Sequence, residues 1–183
     1  MAEKVLVGMS GGVDSSVAAF LLREQGYEPL GITLRLFENE DIGLDKGHPC
    51  CSLDDVEDAR SVARTLGIPH RVFNFTGRFR EQVIDRFVCA YEQGLTPNPC
   101  IDCNRFIKFQ ELLLRARQLN YDCVATGHYA RIERDATGRF LLKKALHTEK
   151  DQSYVLYAMT QERLSRTRFP LGSLSKPEVR EIA

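Results

Sequence analysis

The sequence lacks long apolar runs, a net charge and any internal repeat. No hydrophobic stretch approaches the roughly 18–20 residues that cross a bilayer, which excludes a membrane-spanning helix. The 25 basic side chains balance 25 acidic ones, so the total charge neither favours nor excludes a nucleic-acid partner. At 183 residues, with 43% hydrophobic and 27% charged side chains, the chain has the composition of one soluble globular domain. Met1 to Lys4 lead straight into a predicted strand and do not resemble a signal peptide, so we expect a cytoplasmic protein.

The charges are unevenly distributed along the chain. Residues 38–58 hold eight acidic side chains and one basic one, whereas residues 60–80 hold five arginines and no acid. Residues 104–150 hold ten basic and five acidic side chains. A neutral total can therefore hide a basic face, and basic faces bind phosphate backbones. Ordinary solvated faces give the same pattern, and on charge alone we prefer that interpretation.

Apolar runs that alternate with amphipathic stretches indicate the fold class. Strands are predicted at residues 4–9, 30–36, 71–75 and 122–126, and helices at 13–25, 52–66, 79–93 and 106–119. This order predicts parallel βαβ units, and hence an α/β, Rossmann-like parallel sheet with helices on both faces. A hairpin (130–133 and 140–144) and short helices near Ser153 and Thr160 follow. Ser175 and Pro177 begin a further helix in which the chain stops, so we expect a fragment of a longer protein.

A glycine- and serine-rich turn follows the first strand and opens the first helix. It reads Gly8-Met9-Ser10-Gly11-Gly12-Val13-Asp14-Ser15-Ser16. Glycines allow close backbone approach and point amide groups inward, and the helix N-terminus adds partial positive charge, so this turn is a predicted anion site. The carboxylate of Asp14 suggests that a Mg²⁺ ion accompanies a nucleotide. The turn is neither a Walker A loop nor a G-x-G-x-x-G fingerprint.

The stretch SGGVDSS resembles the PP-loop of the ATP pyrophosphatases, and a second motif narrows the resemblance. Residues 96–104 (TPNPCIDCN), followed by Ile107-Lys108-Phe109, resemble the T-P-N-P-D-x-x-C-N-x-x-I-K-F segment of the tRNA-specific 2-thiouridylases. Residues 125–129, 150–154 and 169–177 resemble the same family in the same order. The resemblance covers essentially the whole chain. It implies a fold of the adenine nucleotide α-hydrolase type.

The resemblance also implies a reaction. ATP would adenylate the 2-position oxygen of the wobble uridine in the tRNA anticodon stem-loop. Sulfur would then displace AMP, with Cys103 as the leading catalytic cysteine and a sulfur-donor or relay protein as partner. The implied triphosphate and nucleotide contacts are Gly8, Met9, Ser10, Gly11, Gly12, Val13, Asp14, Ser15, Leu34 and Gly127. The implied target-base contacts are Asn98, Pro99 and Cys100, and the implied tRNA contacts are Lys150, Asp151 and Gln152. ATP and Mg²⁺ would be the cofactors, with Asp14 beside the metal.

The chain departs from the family pattern at two places. Cys100 stands where the motif has Asp, which creates a C-x-x-C pair with Cys103. Together with Cys51, or alternatively Cys50, this pair could hold three corners of a 4Fe–4S cluster. A Cys₄ zinc site, a redox pair and independent thiols are the alternatives, and cluster and plain thiols weigh about equally. The second departure is that the family's second catalytic cysteine and its C-terminal domains would lie beyond Ala183.

Some residues and alternatives stay open at this point. Cys89 and Cys123 lie in apolar stretches and are expected to be inert core residues. His128 is a nucleotide or base contact or else a loop histidine, and Lys108 meets phosphate or is a solvated lysine. Residues 1–183 are expected to form one PP-loop catalytic domain in which 130–183 is a hairpin and helical extension facing tRNA. The rival functions are a small-molecule PP-loop ligase and a non-catalytic, truncated tRNA- or metal-binding module.

Overall fold

The computed structural model describes residues 2–37 and 53–183 and contains a five-stranded, fully parallel sheet. The order of its strands is β3-β2-β1-β4-β7. A separate antiparallel hairpin is formed by β5 and β6. The strands are β1 (Lys4–Gly8), β2 (Glu28–Arg35), β3 (His70–Asn74), β4 (Cys123–Thr126), β5 (Ala130–Arg134), β6 (Phe140–Lys144) and β7 (Thr167–Arg168). The predicted α/β fold class is confirmed.

Six helices connect and flank these strands in the described part of the chain. Two of them contain a π-helical turn: α3 (76–92) at Arg80–Ile84 and α4 (99–118) at Cys103–Glu111. The others are α1 (Val13–Glu24), α2 (Leu53–Thr65), α5 (Gln161–Ser165) and α6 (Lys176–Ile182), and single 3₁₀ turns lie at Thr148–Lys150 and Ser153–Leu156. Within the described ranges no helix is both long and apolar enough to cross a bilayer.

The sheet is covered by helices on both faces, because its strands alternate their buried side chains between two cores. Val5, Val7 and Ala125 pack with α1 and α2 on one face. Leu6 and Val124 point to the other face, which is filled from α4 by large apolar side chains, namely Ile107, Phe109, Leu112 and Leu113. Because β1 and β4 are parallel, hydrogen-bonded neighbours, the loops that follow them lie side by side.

The start of α4 corrects the prediction of a loop over residues 95–104. The helix begins at Pro99, so that Cys100 and Cys103 lie on its first turns. Asn98 is the N-cap: its Oδ1 accepts a hydrogen bond from the Cys100 amide at 3.0 Å. Proline is favoured at the first helical position because its ring presets φ and it has no amide hydrogen to satisfy. The Asn-Pro pair was thus a helix-start signal within a segment that we predicted to be a loop.

The position of Cys89 is a second correction. The apolar context predicted a core residue, but Cys89 is exposed, whereas Cys123 is buried as expected. Helix α3 buries Val83 and turns the face that carries Cys89 outward, where the thiol accepts a 3.3 Å hydrogen bond from Gln93 Nε2. Burial raises the pKa of Cys123 to about 12, which keeps that thiol protonated and inert at neutral pH.

Part of the segment after residue 130 joins the main sheet. The hairpin of β5 and β6 is separate from it, but β7 pairs in parallel with β4 as an edge strand. The sequence analysis missed β7 because a strand of two residues has too short a pattern to detect. Helix α6 packs through Val179 against Val17 and Ala18 of α1. Its N-terminus has the predicted start signal, a capping box between Ser175 and Glu178.

Candidate active site

A cleft of about 800 Å³, counting its open mouth, lies where the order of the strands in the sheet reverses. Strands β2 and β3 lie to one side of β1, and β4 and β7 lie to the other. Open α/β sheets bind ligands at such a switch point, outside the carboxyl ends of the strands. The cleft is lined by the loop after β1, the loop after β4, the end of β2 and one side of α4.

The loop after β1 is held in shape by its own serines. Ser15 Oγ accepts a 3.1 Å hydrogen bond from the Ser10 amide and donates one of 2.9 Å to the Gly12 carbonyl. Ser16 Oγ donates to the same carbonyl at 3.0 Å. Gly12 has no side chain with which to cap α1, so the first amide groups of that helix keep their donors available for an anion.

Two glycines are required by close backbone contacts around this loop. Gly11 has a φ of +77°, and a Cβ atom there would lie 2.7 Å from the Asp55 carbonyl oxygen. Gly127 lies directly after β4, and a Cβ atom there would lie 2.8 Å from the carbonyl carbon of Asp14. Real Cβ atoms do not come this close to backbone, so glycine lets the two loops that line the cleft meet.

Asp14 is fixed by two distant parts of the chain, the loop after β4 and the start of α6. Its Oδ1 accepts hydrogen bonds from Tyr129 Oη at 2.8 Å and from Lys176 Nζ at 2.5 Å, while Gly127 packs against its backbone. Burial, followed by the hydrogen bond to Asp14, raises the pKa of Tyr129 and keeps the phenol protonated as a donor. Both hydrogen bonds go to Oδ1, and no side chain in the described part of the chain donates to Oδ2.

The opposite wall of the cleft is formed by β4 and α4. His128 is 7% exposed, and its Nδ1 lies 2.7 Å from Thr126 Oγ1. The ring packs beside Phe109 and Phe169. Burial, and then the nearby ammonium of Lys108, hold the pKa of His128 well below its ordinary value, so this imidazole is neutral at pH 7.

The two cysteines of the C-x-x-C motif lie on the first turns of α4, outside the residues that line the cleft. Cys100 is exposed and Cys103 is half-buried against the main core. Asn104 is 3% exposed, and its Nδ2 donates a 2.8 Å hydrogen bond to the Cys100 carbonyl. This bond and the Asn98 cap fix both ends of the turn that carries the thiols.

The comparison with protein families gives a match over nearly the whole chain: residues 3–183 match the model of the tRNA methyl transferase HUP domain. The chain belongs to this family. Curated relatives named tRNA-specific 2-thiouridylase MnmA include those of Clostridioides difficile, 55% identical over 184 residues, and Lachnoclostridium phytofermentans, 52% identical over 182 residues. They cover 100% and 99% of this chain, which spans 51% of each relative's length. The resemblance read from the motifs is thereby confirmed.

Solved structures support the HUP-family fold alone, because their sequence identities are low. A predicted subunit of tRNA methyltransferase from Methanocaldococcus jannaschii aligns with a TM-score of 0.54 and 20% identity, covering 98% of this chain and 73% of that one. A glutamine-dependent NAD⁺ synthetase from Acinetobacter baumannii, solved with ADP, aligns with a TM-score of 0.55 and 16% identity, covering 99% of this chain and 28% of that one.

Within this HUP domain, most of the predicted nucleotide contacts come together. Seven of the ten line the cleft, namely Gly8, Met9, Ser10, Asp14, Ser15, Leu34 and Gly127. The other three, Gly11, Gly12 and Val13, form the outer part of the turn, where Val13 is 43% exposed. Their amides, rather than their side chains, are the groups that could reach a phosphate.

The three predicted tRNA contacts after the hairpin are placed differently from one another. Gln152 lines the cleft, and its Oε1 accepts a 3.0 Å hydrogen bond from the Tyr129 amide. Asp151 accepts hydrogen bonds from the Ala145 amide and the Ser153 hydroxyl, so its carboxylate holds the turn together. Partial burial would raise the pKa of Asp151, but these hydrogen bonds outweigh it and lower that pKa. Lys150 lies beside them in a neighbouring depression that also contains Lys176.

The predicted target-base contacts and the described cysteines of the predicted cluster do not line this cleft. Asn98, Pro99 and Cys100 are exposed at the beginning of α4. Cys50 and Cys51, the third ligand in the cluster hypothesis, lie outside the described residues, so that hypothesis stays a prediction. Within residues 2–37 and 53–183, no group of three Cys, His, Asp or Glu side chains is arranged to hold a metal.

Sequence reasoning missed the partners of Asp14. Tyr129 follows the end of a predicted strand, where ligands bind in such folds, and this position was the signal that could have found it. Lys176 is 162 residues from Asp14 and carries no local signal. Leu112 was also missed: it lines the cleft four positions after Lys108, for which a phosphate contact was one of the two interpretations, and helical spacing could have indicated it.

Proposed function

We propose that this chain is the nucleotide-binding and catalytic HUP domain of an enzyme that thiolates the 2-position of the wobble uridine in tRNA. The proposal is carried by the cleft, which is bordered by the glycine- and serine-rich loop, by apolar side chains and by the helix that bears the two cysteines. The chain that forms it is 55% identical to a relative named tRNA-specific 2-thiouridylase MnmA. A small-molecule ligase of the same fold has no evident use for the exposed C-x-x-C turn.

ATP fits the cleft by the chemistry of its walls. The ends of β2 and α4 supply an apolar surface for adenine, through Ile32, Leu34, Leu36 and Leu112. The uncapped amides of α1 and the turn from Ser10 to Ser15 suit the phosphates. Asp14 Oδ2 is the oxygen available to a Mg²⁺ ion that arrives with the nucleotide, while Lys176 neutralises the carboxylate through Oδ1. Bound Mg²⁺ would neutralise phosphate charge.

Adenylation solves a leaving-group problem. The 2-oxygen of uridine attacks the α-phosphorus, the bond to the bridging oxygen of pyrophosphate breaks, and pyrophosphate departs with the electron pair. The outer sulfur of a cysteine persulfide then attacks C2 of the base, AMP leaves with the original 2-oxygen, and a second cysteine thiol breaks the S–S bond and forms a disulfide. Within this chain the thiol with the strongest case for handling sulfur is Cys103, on the half-buried turn beside the core, while Cys100 lies exposed one turn earlier.

The tRNA is proposed to approach from the side of α4 and residues 130–183. Asn98, Pro99 and Cys100 are exposed at the start of α4 and would meet the target base, which must leave its stack to be reached. Lys150 would contact the backbone of the anticodon stem-loop, and Gln152 would link that contact to the cleft through Tyr129. A sulfur-donor protein is the second proposed partner.

The proposal is tested by ATP cleavage at the α–β bond. The chain, and the same chain extended to the length of its relatives, are incubated with ATP, Mg²⁺ and unmodified tRNA, and pyrophosphate release is followed. We expect release that depends on tRNA in the extended protein and is lost in Asp14→Ala. ATP cleavage at the same rate with and without tRNA would favour the small-molecule ligase. If neither protein cleaves ATP and Cys103→Ala changes no measured property, the result would favour the non-catalytic binding module.

The route of sulfur is decided by a separate measurement on protein purified without oxygen. Iron and acid-labile sulfide that are lost in Cys100→Ser and in Cys103→Ser would assign a cluster held with Cys51 or Cys50. Colourless, iron-free protein would favour the persulfide route, in which Cys103 acts with a distant partner cysteine. The i, i+3 pair at the start of α4, with Cys100 exposed and Cys103 half-buried, would supply two corners of such a cluster.

A further inference from the structure

We infer that Lys108 binds the α-phosphate of the nucleotide, the phosphate that remains on the substrate after adenylation. The inference rests on the proposed function and adds a phosphate-binding residue to it. Lys108 lies on the π-helical part of α4 and lines the cleft between Leu112 and the turn that carries the cysteines. Neither the PP-loop motif nor the expected nucleotide contacts include it.

The order of residues along α4 supports the assignment to one phosphate. Leu112 lines the cleft and belongs to the same apolar cluster as Leu34 and Leu36. Lys108 is one turn closer to the N-terminus of the helix, and Cys103 is about one turn closer again, at roughly 1.5 Å of rise per residue. The helix therefore presents an apolar group, a cation and a thiol in the order base, α-phosphate and sulfur.

The loop after β1 accounts for the other phosphates. Its amides and the N-terminus of α1 suit the β- and γ-phosphates, which leave together as pyrophosphate. In ATP the α-phosphate lies between these two phosphates and the nucleoside, so it is expected between that loop and the apolar residues that would hold the base. Lys108 is the cationic side chain of α4 that lines the same cleft.

The charges of the cleft leave Lys108 as its available cation. Among the described lining residues it is the only Lys or Arg, and no described side chain forms a hydrogen bond or ion pair with it. The carboxylate of Asp14 is held by Lys176, and His128 is kept neutral by burial and by Lys108 itself. An ammonium in a concave site without a counter-ion is placed to attract a phosphate.

The role is electrostatic and requires no proton transfer. As the uridine oxygen bonds to the α-phosphorus and the bond to pyrophosphate breaks, negative charge builds on the two nonbridging oxygens. An ammonium at these oxygens stabilises that charge without reorganising. The same contact then keeps the adenylated base in the cleft after pyrophosphate has left, beside the turn that carries Cys103.

The experiment compares three ligands against three proteins. Binding of adenosine, AMP and ATP with Mg²⁺ is measured by calorimetry for the parent chain, for Lys108→Gln and for Lys143→Gln. Lys143 is a matched control because it lies on the exposed hairpin, paired with Glu133, and lines no part of the cleft. We expect Lys108→Gln to weaken AMP and ATP alike by about 10–100-fold, to leave adenosine unchanged and to be partly rescued by Lys108→Arg.

Each other pattern overturns the inference in its own way. Loss of ATP affinity with AMP unchanged would move Lys108 to the β- or γ-phosphate. Loss for all three ligands would mean that Lys108 supports the shape of the cleft, and no loss would mean that it is a solvated lysine. These results leave the proposed function intact. A parent chain that binds none of the three would instead refute nucleotide binding, and with it the proposed function.

Discussion

Lys176 donates a 2.5 Å hydrogen bond from its ammonium to Asp14 Oδ1, across 162 residues of sequence. The side chains are only 23% and 35% exposed, so solvent screens the pair less than it screens a surface ion pair. Lys176 is the first residue of α6, whose capping box fixes the helix start. The pair therefore joins the loop after β1 to an element near the other end of the chain, and it leaves Oδ2 of Asp14 for the Mg²⁺ ion that is proposed to arrive with the nucleotide.

Lys176→Met is expected to weaken ATP binding by about 10-fold, because the unneutralised carboxylate of Asp14 would then repel the phosphates. When ATP is titrated without Mg²⁺, adding Asp14→Asn to Lys176→Met should recover most of the affinity, and calorimetric titrations of the two single variants and the double variant measure the coupling. Tighter magnesium-dependent binding in Lys176→Met would contradict this account. It would mean that Lys176 competes with the metal ion for the carboxylate of Asp14.

Gly127→Ala is expected to destabilise the fold by about 1–3 kcal/mol and to weaken nucleotide binding, since the new methyl group would be pressed against the backbone of Asp14. Gly77→Ala provides the matched control. A Cβ atom at Gly77 meets nothing within 4 Å, and alanine favours the helix in which it lies. Urea unfolding of both variants checks the prediction, and equal stabilities would show that the two loops do not meet as closely as described.

The sequence predicted the frame of the site well because its signals are local. Strand and helix periods predicted the alternating order of the elements, and glycines with positive φ follow three of the predicted helices, at positions 26, 67 and 94. The seven predicted contacts that line the cleft were implied by the family resemblance, which was itself identified from short motifs. These features depend on residues within a few positions of one another.

What the sequence could not predict depends on packing between distant segments. Cys89 has apolar neighbours in sequence, yet α3 turns it to solvent, because only the side of that helix that carries Val83 faces the core. Lys176 reaches Asp14 only once α6 has packed on α1 through Val179. The start of α4 is a different case, since the Asn-Pro signal was local and the prolines were taken to indicate a loop instead.

His128 should make the fold less stable in mildly acidic solution. Its folded-state pKa is lowered, first by burial and then by Lys108, so the unfolded chain binds a proton that the folded chain does not. Stability is complete above the unfolded pKa of about 6.5 and declines as the pH falls from there toward the folded pKa, by up to about 1.4 kcal/mol per pH unit. His70, whose pKa is lowered by burial and by Arg60, adds to the same trend.

Urea unfolding between pH 7.5 and 5 measures this slope, and His128→Gln should reduce it. The window avoids the side chains with lowered carboxyl pKa values, which lose their stabilising effect only at lower pH: Glu133, Asp135, Asp151, Glu162 and Glu178. A slope that is the same in His128→Gln and in the parent chain would show that this imidazole is not buried as a neutral group.

The cap of α4 offers a way to separate the structural and substrate roles of Asn98. Asn98→Ala removes the acceptor for the Cys100 amide and should cost about 1 kcal/mol of stability, while Asn98→Ser and Asn98→Asp retain a cap. Thermal melts follow the cost, and alkylation of Cys100 follows fraying of the turn. We expect Asn98→Ser to match the parent chain in both measurements yet to lower tRNA-dependent pyrophosphate release in the extended protein. If Asn98→Ser is fully active, then Asn98 acts through the helix start alone and the target base is recognised by other residues.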